Sequence, residues 1–267
     1  MKSIVASAVA LLAVIQGGPA LASSSPWVEA QGGKVRLVTT GKPDAQGRLE
    51  GMLDIQLDKG WKTYWRDPGE AGVPPSLDVS NSTNVTGARL DFPAPQRHED
   101  DYASWVGYNH SVALPIAFRV GDPDKPVKIS ADVFLGICES ICIPVHAKLT
   151  LDPARNADDG ADATAVATAV KALPMPASPD FGVDVESSDQ SALVVRANMP
   201  SGASASEFFL AGGDGYSFAT PKKIEKDGKT EFSVEVLDRP AGKPAGDGLP
   251  YTLVTDKGAV SGVLPYL

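Results

Sequence analysis

A two-residue alternation of side-chain polarity is the feature that most constrains the fold of this chain. It recurs at 49–57, 112–120 and 232–236, where the large apolar residues share one parity. Such alternation is typical of β-strands with one face buried and the other in water. Turn pairs such as Asp227-Gly228 and Lys257-Gly258 punctuate the pattern. Many short strands with frequent glycine and proline predict an all-β protein built from β-sandwiches.

One segment interrupts the strand pattern and divides the chain. Residues 152–160 are polar and acidic, and 161–173 have the spacing of a short helix that Pro174 ends. Its predicted apolar face consists of Val166, Val170 and Leu173. We therefore expect a linker with one short helix at 153–179. It would separate a first domain at 23–152 from a second, smaller β-sandwich domain at 180–267.

The N-terminus predicts export from the cytoplasm. Lys2 precedes an apolar run at 4–15, and Ala20-Leu21-Ala22 forms a small-residue cleavage pattern. This layout is that of a signal peptide over residues 1–22. The alternative is a membrane anchor, but the apolar run is too short to span a bilayer comfortably. We expect no membrane span after cleavage, because no later segment is sufficiently apolar.

The charge balance argues against two classes of partner. The chain has 33 acidic and 24 basic residues, for a net charge of −9. Proteins that bind nucleic acid present a basic surface, and anionic lipids also attract basic segments. We therefore expect neither nucleic acid nor an anionic membrane surface as a partner.

The two cysteines of the chain, Cys138 and Cys142, lie in the stretch FLGICESICIPVHAKLTL at 134–151. Residues 143–151 alternate between apolar and other side chains, as in a strand with one buried face. The residues predicted to face the core are Ile143, Val145, Ala147, Leu149 and Leu151. The residues predicted to face outward are Cys142, Pro144, His146, Lys148 and Thr150. Residues 129–135 alternate in the same way and predict a strand that ends near Gly136. Both sulfurs are then expected near the surface, at the junction of two strands.

The spacing of this pair is compatible with three kinds of chemistry. A disulfide could be a structural clip, although the loop-entropy model gives only about 2 kcal/mol for so small a ring. Two thiolates with His146 could bind Cu(I), and on a helix the three residues would share one face, but Pro144 and the alternation argue for a strand. The third alternative is a dithiol that exchanges electrons. The residues alone leave all three open.

Three stretches in this order resemble one family. They are GWKTYWRDPGEAGVPP at 60–75, FPAPQRHEDDYASWVGYNHSVALPI at 92–116, and the cysteine stretch at 134–151. Together they resemble the periplasmic N-terminal domain of DsbD and of its relative ScsB, which are bacterial membrane disulfide reductases. The resemblance implies an immunoglobulin-like sandwich with a redox-active cysteine pair, and in ScsB-like members a second β-domain.

Residue by residue, the resemblance assigns the cysteine pair and its surroundings. Cys138 and Cys142 match the redox pair, with Cys142 matching the cysteine that forms mixed disulfides. Three residues resemble the start of a cap loop that shields the sulfurs, namely Asp100, Asp101 and Tyr102. Tyr64 resembles a tyrosine close to the pair. Acidic neighbours such as Glu139 are expected to raise the pKa of the thiols, so that a partner must activate them.

The implied function is a thiol–disulfide relay in the periplasm. It would pass reducing equivalents between a membrane-embedded disulfide reductase domain and periplasmic thioredoxin-like proteins, as part of a protein-disulfide reductase system. The family serves disulfide isomerisation, cytochrome c biogenesis or copper tolerance, and implies no cofactor and no metal. The membrane and thioredoxin domains of the family do not occur in this sequence, so we expect either a fragment or a free-standing carrier. A periplasmic copper-binding protein and a non-catalytic interaction module with a structural disulfide are the alternatives.

Overall fold

The computed structural model describes residues 23–69, 72–99, 104–157, 159–213, 215–242, 244 and 246–267. These residues form two β-sandwiches and carry one α-helix. The predicted all-β class is therefore confirmed. The predicted signal peptide at 1–22 lies outside the described residues, as do the predicted cap residues Asp100, Asp101 and Tyr102.

Eleven strands form the N-terminal sandwich. They are β1 (Val28–Ala30), β2 (Gly33–Thr39), β3 (Arg48–Leu57), β4 (Thr63–Tyr64), β5 (Ser76–Asp78), β6 (Val85–Leu90), β7 (Gln96–Glu99), β8 (Ser104–Tyr108), β9 (Val112–Val120), β10 (Ile129–Cys138) and β11 (Cys142–Leu151). One sheet has the order β1-β2-β3-β9-β6 and the facing sheet the order β11-β10-β5. Their inward residues share one core, because alternate side chains of β3, β9 and β10 are buried. A small third sheet, β4-β8-β7, lies at the end that carries the cysteines.

Nine strands form the C-terminal sandwich. They are β12 (Met175–Pro176), β13 (Gly182–Ser188), β14 (Ala192–Asn198), β15 (Ala205–Leu210), β16 (Ser217–Phe218), β17 (Lys222–Lys226), β18 (Lys229–Asp238), β19 (Leu249–Thr255) and β20 (Gly258–Leu264). One sheet has the order β12-β20-β19-β15, and the other has β13-β14-β18-β16 with β17 also paired to β18. A second core lies between them, built around the aromatic residues Phe208, Phe232 and Tyr251.

The helix between the sandwiches packs against the N-terminal one. A 3-10 turn (Pro153–Asn156) leads into α1 (Gly160–Lys171), whose first amides donate to the Asp159 carboxylate. Val166 is fully buried and clusters with Val38 and Met52 of the N-terminal sandwich.

The predicted apolar face of this helix was correct only at Val166. The buried residues are Asp162, Val166 and Ala169, whereas Val170 is 37% exposed. The helix is turned relative to the prediction so that Asp162 faces the sandwich. A polar contact explains this orientation, since Ser23 Oγ donates to Asp162 Oδ2 at 2.6 Å in a buried hydrogen bond. Apolar periodicity could not reveal an inward carboxylate.

Candidate redox site

The cysteines close the end of the β10–β11 hairpin. The strands pair in continuous antiparallel register from Ile129↔Leu151 to Cys138↔Cys142, and the sulfurs are joined in a disulfide. The predicted end of β10 near Gly136 was two residues short. The strand continues because the Lys62 amide donates to the Cys138 carbonyl at 2.8 Å, and the Cys138 amide donates to the Lys62 carbonyl at 2.9 Å.

The two cysteines differ sharply in exposure. Cys142 is exposed, as its parity predicted, but Cys138 is completely buried. The expectation that both sulfurs lie near the surface was therefore wrong for Cys138. Its side chain does point away from the main core, but Tyr64 and Trp105 cover it and form a separate small cluster with it. Parity gives the direction of a side chain and not what covers it.

Tyr64 contacts both sulfurs. Its hydroxyl donates to Cys138 Sγ at 3.0 Å and lies 3.2 Å from Cys142 Sγ. The structure thus brings together the three predicted site residues that it describes, Tyr64, Cys138 and Cys142.

Two glycines make room for the tyrosine ring. A Cβ atom added at Gly72 would lie 2.6 Å from Tyr64 Cε1, and one added at Gly136 would lie 3.3 Å from Tyr64 Cε2. Separations this short leave little or no space for a methyl group on either side of the ring. Gly72 and Gly136 therefore leave the space that the ring needs for its hydroxyl to reach the sulfurs.

Sequence reasoning missed a second layer of side chains around the pair. Trp105 meets the Tyr64 ring edge-on at 6.0 Å between centroids, and His98 stacks on Trp105 at 4.0 Å. The Lys62 ammonium lies 4.5 Å from the centre of the Trp105 ring, within the range of a cation–π interaction. His98 and Trp105 flank the predicted cap stretch in sequence, and this was the one signal that could have placed them near the cysteines.

The electrostatic surroundings are more mixed than the sequence suggested. Lys62, a cation, is the backbone partner of Cys138, while Glu139 lies in the hairpin turn. Burial lowers the pKa of His98, and the positive charge of Lys62 lowers it further. The neutral form of His98 is therefore favoured on the face of Trp105, and the sequence analysis, which named acidic neighbours, missed the nearby cation of Lys62.

The residues of the predicted copper alternative do not come together. His146 lies on the same strand as Cys142, and four residues of a strand span about 13 Å. Its ring instead packs against Phe134 at 4.4 Å. Among the residues that the structure describes, no three side chains of the metal-ligating types form a cluster. The geometry therefore does not favour a site built from the two cysteines and His146.

Comparison with known proteins shows what the N-terminal sandwich is similar to. Residues 36–154 match the family described as the N-terminal part of the thiol:disulfide interchange protein DsbD. This part of the chain is similar to the N-terminal domain of DsbD. The match includes the cysteine pair, Tyr64 and both strands that flank the predicted cap.

A solved structure resembles the chain beyond residues 36–154. The N-terminal periplasmic domain of ScsB from Proteus mirabilis superposes with a TM-score of 0.70 at 21% sequence identity. The alignment covers 92% of this chain and 100% of that one, so the second sandwich shares the fold as well. No curated protein matches. Within the described part of the chain, the helices lack the length and hydropathy needed to span a bilayer.

Proposed function

We propose that this chain is a periplasmic thiol–disulfide relay. It passes reducing equivalents from a membrane-embedded disulfide reductase to periplasmic thioredoxin-like proteins through the Cys138–Cys142 pair. The observation that carries this proposal is the asymmetric pair beneath a tyrosine: an exposed Cys142 bonded to a buried Cys138, with the Tyr64 hydroxyl on both sulfurs. The match of residues 36–154 to the DsbD N-terminal family supports it, and the predicted signal peptide supports export.

The difference in exposure assigns the two cysteines different steps. In the reduced domain, the Cys142 thiolate attacks one sulfur of a partner disulfide, and the other partner sulfur leaves as a thiolate. Cys138 then attacks Cys142 Sγ, which forms the intramolecular disulfide and releases the second partner sulfur. Two electrons and two protons pass to the partner. The membrane reductase reverses the exchange and restores the dithiol.

Tyr64 stabilises the sulfur that carries charge during these steps. A hydroxyl that donates to a thiolate favours the charged form, and hydrogen bonds to charged groups are worth about 1.5–3 kcal/mol. Because the hydroxyl reaches both sulfurs, it can stabilise the Cys142 thiolate in the first attack and the Cys138 thiolate in the second without moving far.

The surface beside Cys142 suits contact with a protein. Ile141, in the hairpin turn next to Cys142, is 65% exposed. An exposed apolar side chain next to a reactive sulfur offers area that a partner can bury.

A cysteine trap tests the proposal. Cys138→Ser leaves Cys142 without its resolving thiol, so mixed disulfides with exported or membrane proteins should accumulate in the native host. Cys142→Ser is the matched control and should trap none, because the remaining sulfur is buried. Equal yields from the two variants, or no mixed disulfide with either, would overturn the relay. A structural clip predicts that second result.

A further inference from the structure

The β7–β8 hairpin lies between the redox site and the second sandwich. Its register pairs His98 with Trp105 and Arg97 with Val106. Because neighbouring residues of a strand point to opposite faces, the first pair faces one way and the second pair the other. The His98–Trp105 face contacts Tyr64, whereas Arg97 on the other face contacts the C-terminal sandwich.

Strand β15 meets this hairpin with one of its two faces. Phe208 and Leu210 belong to the core of the C-terminal sandwich, while Phe209 belongs to the core of the N-terminal one. Glu207 shares the parity of Phe209 and so also points toward the N-terminal sandwich. The Phe209 ring lies 5.9 Å from that of Trp65, one residue beyond the tyrosine of the redox site.

Arg97 is the centre of the contact between the sandwiches. Its Nε donates to Glu207 Oε1 at 2.9 Å, and its guanidinium lies 5.2 Å from the centre of the Phe209 ring. The Arg97 side chain is only 17% exposed and that of Glu207 35%, so solvent screens the pair less than it screens a surface pair. A hydrogen bond from backbone to side chain supports the contact, since the Gly212 amide donates to Asp67 Oδ2 at 2.6 Å. We refer to Arg97, Glu207 and Phe209 as the interdomain contact.

We propose that the interdomain contact makes the second sandwich a positioning element of the redox site. Glu207 and Phe209 hold Arg97, which fixes the outer face of the β7–β8 hairpin. The fixed hairpin keeps Trp105 against the Tyr64 ring, and the Tyr64 hydroxyl therefore stays on the two sulfurs. The contact changes the reactivity of Cys142 without touching a sulfur. Its biological use rests on the proposed relay, but its effect is measurable on the isolated full chain.

Loss of the Glu207 charge should loosen this series of contacts. Glu207→Gln keeps the shape of the side chain but removes the partner of a largely buried guanidinium, which is costly. A less fixed Tyr64 hydroxyl stabilises the Cys142 thiolate less. We expect iodoacetamide to modify Cys142 in the reduced full chain about threefold to tenfold more slowly at neutral pH, with the pH profile of the rate moved to higher pH. The equilibrium with glutathione should move toward the disulfide, because the dithiol state loses stabilisation.

Two further variants separate positioning from general stability. Asp54→Asn breaks the Arg36–Asp54 pair, a 3.0 Å contact of the N-terminal sandwich with similarly shielded side chains, and it should leave the alkylation profile unchanged. The charge exchange Arg97→Glu with Glu207→Arg should recover part of the lost rate.

The proposal is overturned if Glu207→Gln alters the urea unfolding of the chain but leaves both the alkylation profile and the glutathione equilibrium at their original values. It is also overturned if Asp54→Asn produces the same shifts. Neither measurement needs a partner protein, so either result leaves the relay itself standing. Conversely, a failed cysteine trap would overturn the relay but not the effect of the interdomain contact on Cys142.

Discussion

At the scale of single residues, the hydroxyl of Tyr64 is the group whose removal should be most informative. It lies within hydrogen-bonding distance of both sulfurs, while its ring is enclosed by Trp105 and by two close-fitting glycines. The ring and the hydroxyl can therefore be tested apart, because phenylalanine would fill the same space.

We expect Tyr64→Phe to raise the pKa of the Cys142 thiol in the reduced protein. The loss of a hydrogen bond to a thiolate should slow alkylation about tenfold at neutral pH, with little change in the maximal rate at high pH. The measurement is the rate of iodoacetamide modification as a function of pH. An unchanged profile would show that the hydroxyl does not stabilise the thiolate.

His98 should give the protein a pH-dependent stability. Burial lowers its pKa in the folded state below the usual value near 6.5. The unfolded chain therefore takes up a proton at a higher pH than the folded chain does. The contribution of His98 is complete above about pH 6.5 and is lost as the pH falls through its lower folded pKa.

Replacing this histidine should remove that part of the pH dependence. We expect His98→Gln to flatten the decline in the free energy of unfolding between about pH 7 and 5. Urea unfolding of the two proteins at several pH values measures it. If both proteins lose stability in parallel over this range, the folded state does not disfavour protonated His98.

At the scale of elements, the docking of α1 is open to a direct test. Val166 is fully buried, whereas Val170, one turn later, is 37% exposed. Val166→Ala should lower the free energy of unfolding by about 1–3 kcal/mol because it leaves a cavity against Val38 and Met52. Val170→Ala is the matched control, with an expected change within about 0.5 kcal/mol. Equal effects in urea unfolding would mean that the helix does not pack in this orientation.

Strand parity explains how much of the fold and site the sequence could predict. The burial of Val145, Ala147, Leu149 and Leu151 follows from alternation alone. The burial of Cys138 does not, because its cover comes from Tyr64 and Trp105, far away in sequence. The inward carboxylate of Asp162 was equally unreadable, because its partner Ser23 is 139 residues away. Local pattern predicts the orientation of a side chain, whereas long-range contacts decide its environment.

At the scale of the whole molecule, the sandwiches should stay folded when the disulfide opens. The ring between Cys138 and Cys142 is small, so the loop-entropy model gives it only about 2 kcal/mol. We expect reduction to lower the free energy of unfolding by about that amount or less and to leave unfolding cooperative. Urea unfolding with and without a reductant measures it, and a Cys138→Ser, Cys142→Ser variant should not respond to reductant. Loss of cooperative unfolding on reduction would instead identify the bond as a structural staple.

The second sandwich, to which the sequence assigned no chemistry, gains its role only in the assembled molecule. The run Phe208, Phe209, Leu210 and Ala211 lacks the alternation of an ordinary sandwich strand. A continuous apolar run of this kind is typical of a strand buried on both faces, and it was the signal that the sequence offered. It could indicate that both faces are covered, but not that the N-terminal sandwich covers the second face.

The adjacent aromatic rings of β15 also make the chain unusually sensitive to insertions and deletions. Phe208 and Phe209 are consecutive, yet each belongs to a different hydrophobic core. One residue added or deleted just before them would turn each ring to the opposite face of the strand, so that each would point into the other core. Both cores would be mispacked by a single genetic event. Change in this strand should therefore be confined to substitutions, and the loops are the places where the length of this half of the protein can vary.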